Sequence, residues 1–561
     1  MGQIRITKLR VGVLLESFQM PAWYFTMLKC IHDSDYASLS LVVLKESARQ
    51  PLGFLNKFVS QFDHLLYHLY TRLDQRLFPV SPNAFAPINA EDLFKDVPVV
   101  KVRVRETRFC DYVSDEDSQA VMAHDLDVLI RVGFRIIKGN ILHAARFGIW
   151  SYHHGDNLVN RGAPAGFWEV FERHVTTGSI LQQLSDELDG GAVICRSYSG
   201  TNCASVLRNR NQCYWKSSSF LPRKLRELHQ LGETAFVDAL RKQNRHPDFF
   251  CHRLYRTPSN REFAPYLWRW AWDQFKTRLS RQLFHKQWIL QYSFGPLGSH
   301  SFRKFGKIIP PADRFWADPH VVYRDGKYFI FVEEFLYKAR RGRIAVIEMS
   351  SDGSWKPPVV VLEKPYHLAY PFVFQWEGEY YMMPDSSWNS TVERYRCVDF
   401  PYKWELESVL MKGLRAPDPT LFHHEGLWWL FVNAVEVPGS SSYDELFLFY
   451  ADHPLSQEWR PHPCNPVVSD VRRARPAGGL FRYNGGIYRP SQDCSITYGY
   501  GIRISEVLAL TPKYYEEREV AFIEPKWDPR ISGTHTISHA GGLTVIDALW
   551  RRIGRRTPHR R

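Results

Sequence analysis

The sequence predicts a protein of two parts, an α/β Rossmann-like domain followed by an all-β domain that forms a five-bladed propeller. Apolar strands alternate with helices over the first 200 residues, which is typical of a doubly covered sheet. From about residue 310 a hairpin unit repeats with a period near 50 residues. The 561 residues are also too many for one hydrophobic core. We place the α/β domain at residues 1–205, a helical connector at 206–300, the propeller at 301–550 and a basic tail at 551–561.

The α/β part begins with a buried strand at residues 10–17, a helix at 22–32 and a second buried strand at 38–44. A third apolar strand at 126–134 precedes a predicted helix at 138–145. Strands that alternate with helices favour a parallel sheet with both faces covered. After residue 205 the pattern changes to basic, aromatic helical segments, which predict a connector packed between two domains.

The repeated unit is a strand, a turn that holds glycine, and a second aromatic strand. It occurs at 317–331, 370–381, 417–430 and 475–488, and more weakly at 533–543. The Asp-Gly, Glu-Gly and Asn-Gly pairs are hairpin signals because glycine accepts positive φ without steric cost. Five such units predict closure into a propeller.

Composition narrows the functional classes. The net charge of +13 invites a nucleic-acid interpretation, but part of the excess lies in the arginines of the tail, so we consider nucleic acid an unlikely partner. The nine cysteines are scattered and include no C-x-x-C pair, so neither a disulfide framework nor a metal site is predicted. No segment has the roughly 20 apolar residues of a membrane span, and no signal peptide is evident. We therefore expect a cytoplasmic protein.

The N-terminal chemistry is indicated by three motifs in order: residues 148–156, the Arg161-Gly162 loop, and the turn at 186–191. A histidine shortly after a strand and a Leu-Asp-Gly-Gly turn about 35 residues later would bring an imidazole and a carboxylate to adjacent strand ends. In a parallel sheet, sites form at such ends.

This block, from about residue 10 to 200, resembles the formyltransferase family that acts on glycinamide ribonucleotide, methionyl-tRNA and amino sugars. The resemblance implies 10-formyltetrahydrofolate as formyl donor, with His153 and Asp189 as catalytic residues and Ser151 where the family has asparagine. It further implies cofactor contacts at Gly133, Phe134, Asp186 and Leu188, and substrate contacts at His154, Asp156, Arg161 and Glu169. In this chemistry an amine attacks the formyl carbon, His153 stabilises the oxyanion, and Asp189 orients His153 and manages the proton.

In the propeller, Asp318 and Asp418 open two blades, each before a proline, and Asp385 ends an inner hairpin. Inner strands converge on the central channel, so these carboxylates are predicted to cluster. The pattern resembles propellers of glycoside hydrolases that use two Asp and a Glu, with the acid supplied by Glu333 or Glu334. Asp-Pro is equally a plain strand-entry device. We also expect ligand contacts from the polar residues of the fourth unit, namely Arg475, Arg489, Gln492 and Asp493.

These observations lead to one main hypothesis and two alternatives. The first is an enzyme that transfers a formyl group to an amine of a sugar, nucleotide sugar or related metabolite, with carbohydrate bound at the propeller. The second is a glycoside hydrolase or glycosyl-transferring propeller with a degenerate formyltransferase domain. The third is a non-catalytic scaffold that binds glycans.

Overall fold

The computed structural model describes residues 7–46, 62–107, 109–187, 190–298 and 301–553. The chain divides into two compact units. The first contains Met1–Trp272 with Val437–Ser440, and the second contains Asp273–Glu436 with Ser441–Arg561. Of the predicted basic tail, only residues 551–553 are described, and they end the last strand. Within these ranges no helix has the length and apolar character that a membrane crossing needs.

The first unit is built on a nine-stranded mixed sheet. Among the described residues its strands are β1 Leu9–Leu15, β2 Gln19–Pro21, β3 Ala37–Glu46, β4 Pro87–Asn89, β5 Val99–Glu106, β6 Cys110–Val113, β7 Val128–Arg131, β8 Ile136–Lys138, β9 Ile149–His153, β10 Arg161–Gly162, β11 Thr176–Gln183, β12 Val193–Gly200 and β13 Leu254–Tyr255. The order is β12-β11-β9-β7-β1-β3-β5-β6-β8, and the small pairs β2-β4 and β10-β13 lie outside it. The run from β9 through β5 is parallel, whereas β11, β12 and β6 pair antiparallel.

Helices cover both faces of this sheet. They are α1 Ala22–His32, α2 Leu65–Leu77, α3 Asp115–Met122, α4 Trp168–Glu172, α5 Val206–Ser217, α6 Phe220–Leu231 and α7 Glu233–Gln243. A further helix, α8 Asn260–Leu283, begins in this unit, and its residues from Asp273 onward belong to the second unit. Successive side chains of β1 enter different cores, because Val13 packs with α1 and α6 while Leu14 packs with the residues around α3. The predicted helix at 138–145 is wrong. Gly139, at φ 93°, separates β8 from a 3-10 turn at Asn140–His143, and this left-handed residue interrupts a helix.

The second unit is a five-bladed propeller, as the repeat predicted. Its strands begin with β14 Phe284–Phe294 and β15 Gly306–Ile308. Blade 1 contains β16 Arg314–Arg324, β17 Lys327–Leu336, β18 Arg341–Met349 and β19 Val359–Leu362; blade 2 contains β20 Ala369–Trp376, β21 Glu379–Asp385, β22 Thr391–Asp399 and β23 Lys403–Lys412. Blade 3 contains β24 Thr420–His424, β25 Leu427–Asn433, β26 Glu445–Ala451, β27 Arg460–Pro461 and β28 Val468–Ser469; blade 4 contains β29 Arg475–Pro476, β30 Phe481–Tyr483, β31 Gly486–Asp493, β32 Gly501–Leu510 and β33 Tyr515–Ile523.

Blade 5 joins the two ends of the propeller. It combines β34 Ile537–Ala540 and β35 Leu543–Ile553 with β14 and β15. β14 pairs antiparallel with β35 along eleven residues, from Phe284 opposite Ile553 to Phe294 opposite Leu543. This pairing closes the ring, and closure removes the free edges that an open sheet would leave. The hydrophobic cores lie between neighbouring blades.

The inner hairpins turn as their sequences predicted. In each blade the two central turn residues have positive φ, with Asp325 at 50° and Gly326 at 77° in blade 1. Two left-handed residues define the turn whose twist matches that of paired strands. The same geometry recurs at Glu377-Gly378, Glu425-Gly426, Asn484-Gly485 and Gly541-Gly542.

Candidate functional site

The first three blades open on a residue with left-handed backbone. Asp318, Tyr370 and Asp418 have φ values of 51°, 44° and 57°, and each is followed by proline. The first two lie at bulges in the pairing with the next strand. Such a conformation costs of order 1–3 kcal/mol for a residue with a side chain and persists only where the surroundings impose it. The strained backbone therefore indicates that these three residues do more than begin a strand.

A polar side chain occupies the same register of the second strand in every blade. In blades 1 to 4 this residue comes seven positions after the turn glycine, so Gly326 is followed by Glu333 and Gly378 by Asp385. The members of this set are Glu333, Asp385, Asn433, Gln492 and Asp547. All five are buried. Buried polar groups need partners, and a set repeated around the axis supplies them to one another or to a ligand.

Asp547 is the best-anchored carboxylate of this set. Its Oδ1 accepts hydrogen bonds from the backbone N–H groups of His535 at 2.8 Å and Thr536 at 3.1 Å, and its Oδ2 accepts from the N–H of Asp318 at 3.1 Å. The same Oδ2 lies 2.5 Å from Nδ1 of His535. Burial alone would lower the pKa of His535, but the carboxylates of Asp547 and Asp318 raise it. The two carboxylates therefore favour the cationic form of His535, which lies buried between them.

Asp318 faces the other side of His535. Its Oδ1 lies 3.4 Å from Nε2 of His535 and accepts a hydrogen bond from the Thr536 hydroxyl at 2.8 Å. The backbone N–H of Tyr370 donates to its Oδ2 at 3.3 Å. Burial raises the pKa of Asp318, and the charge of His535 opposes that rise. The raised pKa means that Asp318 takes up a proton more readily than an ordinary aspartate does.

Asp418 and Arg475 form a two-point ion pair. Nε of Arg475 lies 2.5 Å from Oδ2 of Asp418, and Nη2 lies 3.1 Å from Oδ1. Gln492 donates to the same carboxylate at 2.9 Å. Burial opposes the guanidinium charge, but Asp418 holds the pKa of Arg475 well above its usual range. The planar guanidinium is thereby fixed in the channel wall, against the rings of Tyr443 and Tyr498.

Glu333 has the most acidic surroundings of the cluster. Burial raises the pKa of this residue well above the usual value, and the carboxylates of Asp318 and Asp385 raise it further. Its Oε1 lies 3.5 Å from Nε2 of His367, whose own pKa is lowered by burial. The raised pKa favours the protonated form of Glu333, which can donate a proton as a general acid does.

Asp318, Glu333, Arg475 and His535 line one cavity of about 350 Å³. Its charged and polar lining consists of Asp318, Glu333, His367, Asp385, Ser387, Arg415, Ser442, Arg475 and His535. Its aromatic lining consists of Trp288, Phe315, Phe335, Trp388, Tyr443 and Tyr498. The volume suits a small ligand, and apolar rings beside a few convergent polar groups are typical of a binding site.

One group in the cavity wall has the composition of a cation site. Ligand atoms of Asp318, His535 and Asp547 lie within 4.8 Å of one another. In the described structure, however, these atoms already contact each other and the backbone, as given above. The sequence predicted no metal site, and this triad is the feature that a metal-binding experiment would address.

The predicted propeller residues fall into two groups. Asp318, Asp385 and Arg475 line the cavity, and Asp418 is buried against Arg475. Glu333, one of the two acids suggested, also lines it, whereas Glu334 pairs with arginines at the strand ends. The sequence reasoning missed His367, His535 and Asp547. The seven-residue spacing after each turn glycine marks Glu333, Asp385 and Gln492, which the sequence analysis had already named, but it leads to none of the three missed residues.

The predicted catalytic residues of the first unit are engaged in structural contacts. The Ser151 hydroxyl accepts a hydrogen bond from Nε of Arg131 at 2.8 Å, and Ser151 is buried. Nε2 of His153 lies 3.0 Å from the carbonyl oxygen of Asn160. Asp189 lies outside the described residues, as does Leu188, so the expected pairing of His153 with Asp189 stays a prediction.

The substrate residues suggested nearby lie in different surroundings. Asp156 forms an ion pair with Arg196 and accepts from the Tyr198 hydroxyl at 3.1 Å. His154 stacks on Tyr214, with ring centroids 3.5 Å apart, and burial lowers its pKa well below the usual value. The Arg161 guanidinium lies over the ring of Phe250.

Glu169 is the exceptional member of that set. It is 2% exposed, and neither carboxyl oxygen has a hydrogen-bond partner among the residues that the structure describes. Burial raises its pKa to about 7. Of the suggested cofactor contacts, Phe134 is buried, Gly133 lies against the backbone of Glu16, and Asp186 is exposed.

Comparisons with known proteins point to the propeller. The family model described as "Glucosamine inositolphosphorylceramide transferase 1, N-terminal" matches residues 308–530. Glucosamine inositolphosphorylceramide transferase 1 of Arabidopsis thaliana is 36% identical over 211 residues, which are 37% of this chain and 27% of that protein. The chain thus spans about a quarter of the length of the curated relative.

Two solved structures were also compared. Zg3597, a family 117 glycoside hydrolase from Zobellia galactanivorans, aligns at 14% identity and a TM-score of 0.32, over 47% of this chain and 90% of that one. Glycinamide ribonucleotide transformylase 1 from Symbiobacterium toebii aligns at 14% identity and a TM-score of 0.27, over 41% of this chain and 92% of that one.

The family model and the curated relative correct the main functional prediction. They name a transferase of glucosamine, a glycosyl group, so the predictions of a one-carbon transferase and of 10-formyltetrahydrofolate as its donor are wrong. The geometry offers a physical reason for the error at Ser151. The hydroxyl expected to stabilise an oxyanion is buried and bound to the guanidinium of Arg131. The alternative of a glycosyl-transferring propeller fits the comparisons better.

Proposed function

We propose that this chain takes part in glycosyl transfer and that the propeller channel holds the sugar. One observation carries the proposal: the channel cavity brings together Glu333, an acid with a raised pKa, and Asp318, a carboxylate that lies beside the buried His535. Glycosidic bonds are broken by such pairs, one group protonating the leaving oxygen and the other serving the incoming group. The match of this segment to glucosamine inositolphosphorylceramide transferases supports it.

The proposed reaction assigns each proton. The bond between the anomeric carbon and the leaving oxygen breaks as Glu333 donates its proton to that oxygen. An acceptor hydroxyl forms the new bond to the anomeric carbon, and Asp318 takes the proton of this hydroxyl. His535 stabilises the charge of Asp318 before the proton arrives. Proton exchange with water then restores both carboxyl groups.

The names of the relatives suggest the substrate class. Glucosamine is an amino sugar, and its ammonium group would be attracted to the channel carboxylates Asp318 and Asp385. Inositolphosphorylceramide carries a phosphate, and the exposed Arg415 at the cavity wall is a cation able to bind it. We propose a glucosamine-type donor and an inositol-phosphate acceptor.

The test is a transfer assay with the full chain. Inositolphosphorylceramide in vesicles is incubated with a nucleotide-activated glucosamine donor, and mass spectrometry detects addition of one amino sugar to the lipid. We expect Glu333→Gln and Asp318→Asn each to reduce the rate by about 100-fold or more. Glu405→Gln changes an exposed carboxylate on β23 and serves as control.

The remaining outcomes separate the alternatives. Release of free sugar that depends on Glu333 would assign hydrolysis to the channel instead of transfer. Sugar binding without turnover would favour a glycan-binding role. Neither binding nor turnover would overturn the proposal.

A further inference from the structure

His367 lies between a backbone donor and the acid of the channel. It comes two residues before β20, and its Nδ1 accepts a hydrogen bond from the backbone N–H of Gly342 on β18 at 2.8 Å. Its Nε2 lies 3.5 Å from Oε1 of Glu333 on β17. The imidazole therefore connects the segment before blade 2 with the second and third strands of blade 1.

The hydrogen bond at Nδ1 fixes the tautomer of His367. A backbone N–H can only donate, so Nδ1 must hold a lone pair. A neutral imidazole then carries its one proton on Nε2, the nitrogen that faces Glu333. Burial lowers the pKa of His367 and thereby favours the neutral ring. The carboxylates of Asp385 and Asp318 oppose this effect, and the charge of Arg475 adds to it.

Gly342 lets the imidazole and the carboxyl group come together. Its carbonyl oxygen accepts the backbone N–H of Leu368 at 3.1 Å, so both its N–H and its C=O are bound to the segment that carries His367. A Cβ at Gly342 would lie 2.5 Å from the carbonyl oxygen of Leu368. It would also lie 2.7 Å from Oε1 of Glu333 and 2.7 Å from Cε1 of His367. Because only glycine has no Cβ, it alone permits this close approach.

Two aromatic rings pack beside the imidazole. The ring centroid of His367 lies 5.8 Å from that of Phe335 and 5.5 Å from that of Trp388. Phe335 stands opposite Gly342 in the pairing of β17 with β18, so it belongs to the same part of blade 1. Packing of this kind restricts the rotamers of the histidine, and the side chain of His367 is only 16% exposed. Nε2 is thereby kept close to Glu333.

We propose that His367 is a positioning residue for Glu333, an inference that rests on the glycosyl transfer proposed above. The Nε2–H of neutral His367 donates to Oε1, so Oε2 is the oxygen that carries the proton of the acid and gives it to the leaving oxygen. Once that proton has left, the same N–H stabilises the carboxylate. The distance of 3.5 Å exceeds that of an ordinary hydrogen bond, and we expect it to shorten as negative charge develops on Glu333.

Two substitutions separate this role from a purely structural one. In His367→Gln the side-chain amide can place a donor where Nε2 stood, but the acceptor for the N–H of Gly342 is lost. In His367→Asn the amide oxygen can replace Nδ1 as that acceptor, and the donor toward Glu333 is lost.

The transfer assay with the full chain compares the two variants. We expect His367→Asn to lower kcat by about tenfold or more with little change in KM, and His367→Gln to stay within about threefold of wild type. The reverse order would overturn the proposal, because it would show that only the bond to Gly342 matters. His453→Asn is the matched control, since Nδ1 of His453 accepts the backbone N–H of Leu455 at 3.1 Å outside the cavity lining.

A measurement without substrate separates this inference from the proposed function. Long-range proton–nitrogen NMR spectra of the full chain, labelled at its histidine nitrogens, report which ring nitrogen carries the proton. The resonances that His367→Gln lacks assign His367. We expect a protonated Nε2 and an unprotonated Nδ1 at neutral pH, and a proton on Nδ1 would overturn the proposal even where transfer is observed. The expected tautomer in a chain that transfers no sugar would support the placement of His367 and contradict the proposed reaction alone.

Discussion

His535 and Asp547 form a buried ion pair in which Nδ1 and Oδ2 are 2.5 Å apart. The pair holds Asp318 from two directions, since Asp547 accepts the backbone N–H of Asp318 and His535 faces its carboxylate. Asp318 belongs to the first blade and both members of the pair to the last, so the pair links ring closure to the geometry of the cavity.

Asp547→Asn should destabilise the propeller. It leaves His535 charged and uncompensated in a buried site, and removing one partner of a buried pair costs about 3–5 kcal/mol. Thermal unfolding of the full chain should show the propeller transition at a lower temperature. Asp352→Asn, which changes an exposed turn residue, is the matched control and should leave the transition in place. An unchanged transition in Asp547→Asn would show that the ion pair is not formed.

Arg475→Met should be more harmful alone than in combination. The single substitution leaves the Asp418 carboxylate buried without its partner, which should lower the free energy of unfolding by about 3–5 kcal/mol. Together with Asp418→Leu the charge is removed as well, so part of the stability should return. Chemical denaturation of the single and double variants measures this coupling. Additive losses would contradict a direct interaction.

The stability of the first unit should depend on pH through Glu169. Burial raises its pKa from 4.5 to about 7, so the folded state binds the proton more tightly than the unfolded state. The stabilisation is therefore complete below pH 4.5 and is lost as the pH rises towards 7. Glu169→Gln should raise the free energy of unfolding at pH 8 by up to about 3 kcal/mol relative to wild type, with little difference at pH 4.

Denaturant titrations at both pH values measure this effect. Glu116→Gln, a change of an exposed carboxylate on α3, should show no such dependence. A difference between Glu169→Gln and wild type that stays constant with pH would show that folding does not raise the pKa of Glu169.

Trp388→Ala should weaken sugar binding without loss of stability. The ring lines the cavity, lies 5.5 Å from His367 and is 69% exposed, so the fold gains little from it. An aromatic face offers a sugar ring an apolar surface, and its loss should cost about 1 kcal/mol, or roughly fivefold in affinity. Calorimetric titration with glucosamine measures this change. Equal affinity would place the sugar elsewhere in the channel.

Local patterns were enough to predict the propeller, and the reason is physical. Each inner hairpin is encoded by a turn pair such as Asp325-Gly326 between apolar strands, and such turns depend on adjacent residues alone. The partner of β35 could not be found this way. β14 lies about 250 residues earlier in the chain, and no local signal encodes pairing at that separation.

For a related reason, only part of the candidate site could be predicted from the sequence. Asp318 and Asp418 stand out because each precedes proline at a blade opening. His535 and Asp547 belong to the fifth blade, whose hairpin is shorter, so the spacing that marks Glu333 fails there. In the first unit, motif order suggested a catalytic Ser151 and His153, but sequence could not show that Arg131 and the backbone of Asn160 would contact them.

The most direct test of the channel as a sugar site is calorimetric titration of the full chain with glucosamine. The account predicts one binding site per chain, lost in Asp318→Asn and retained in Glu405→Gln. Binding that survives Asp318→Asn, or no binding to the wild-type chain, would contradict it.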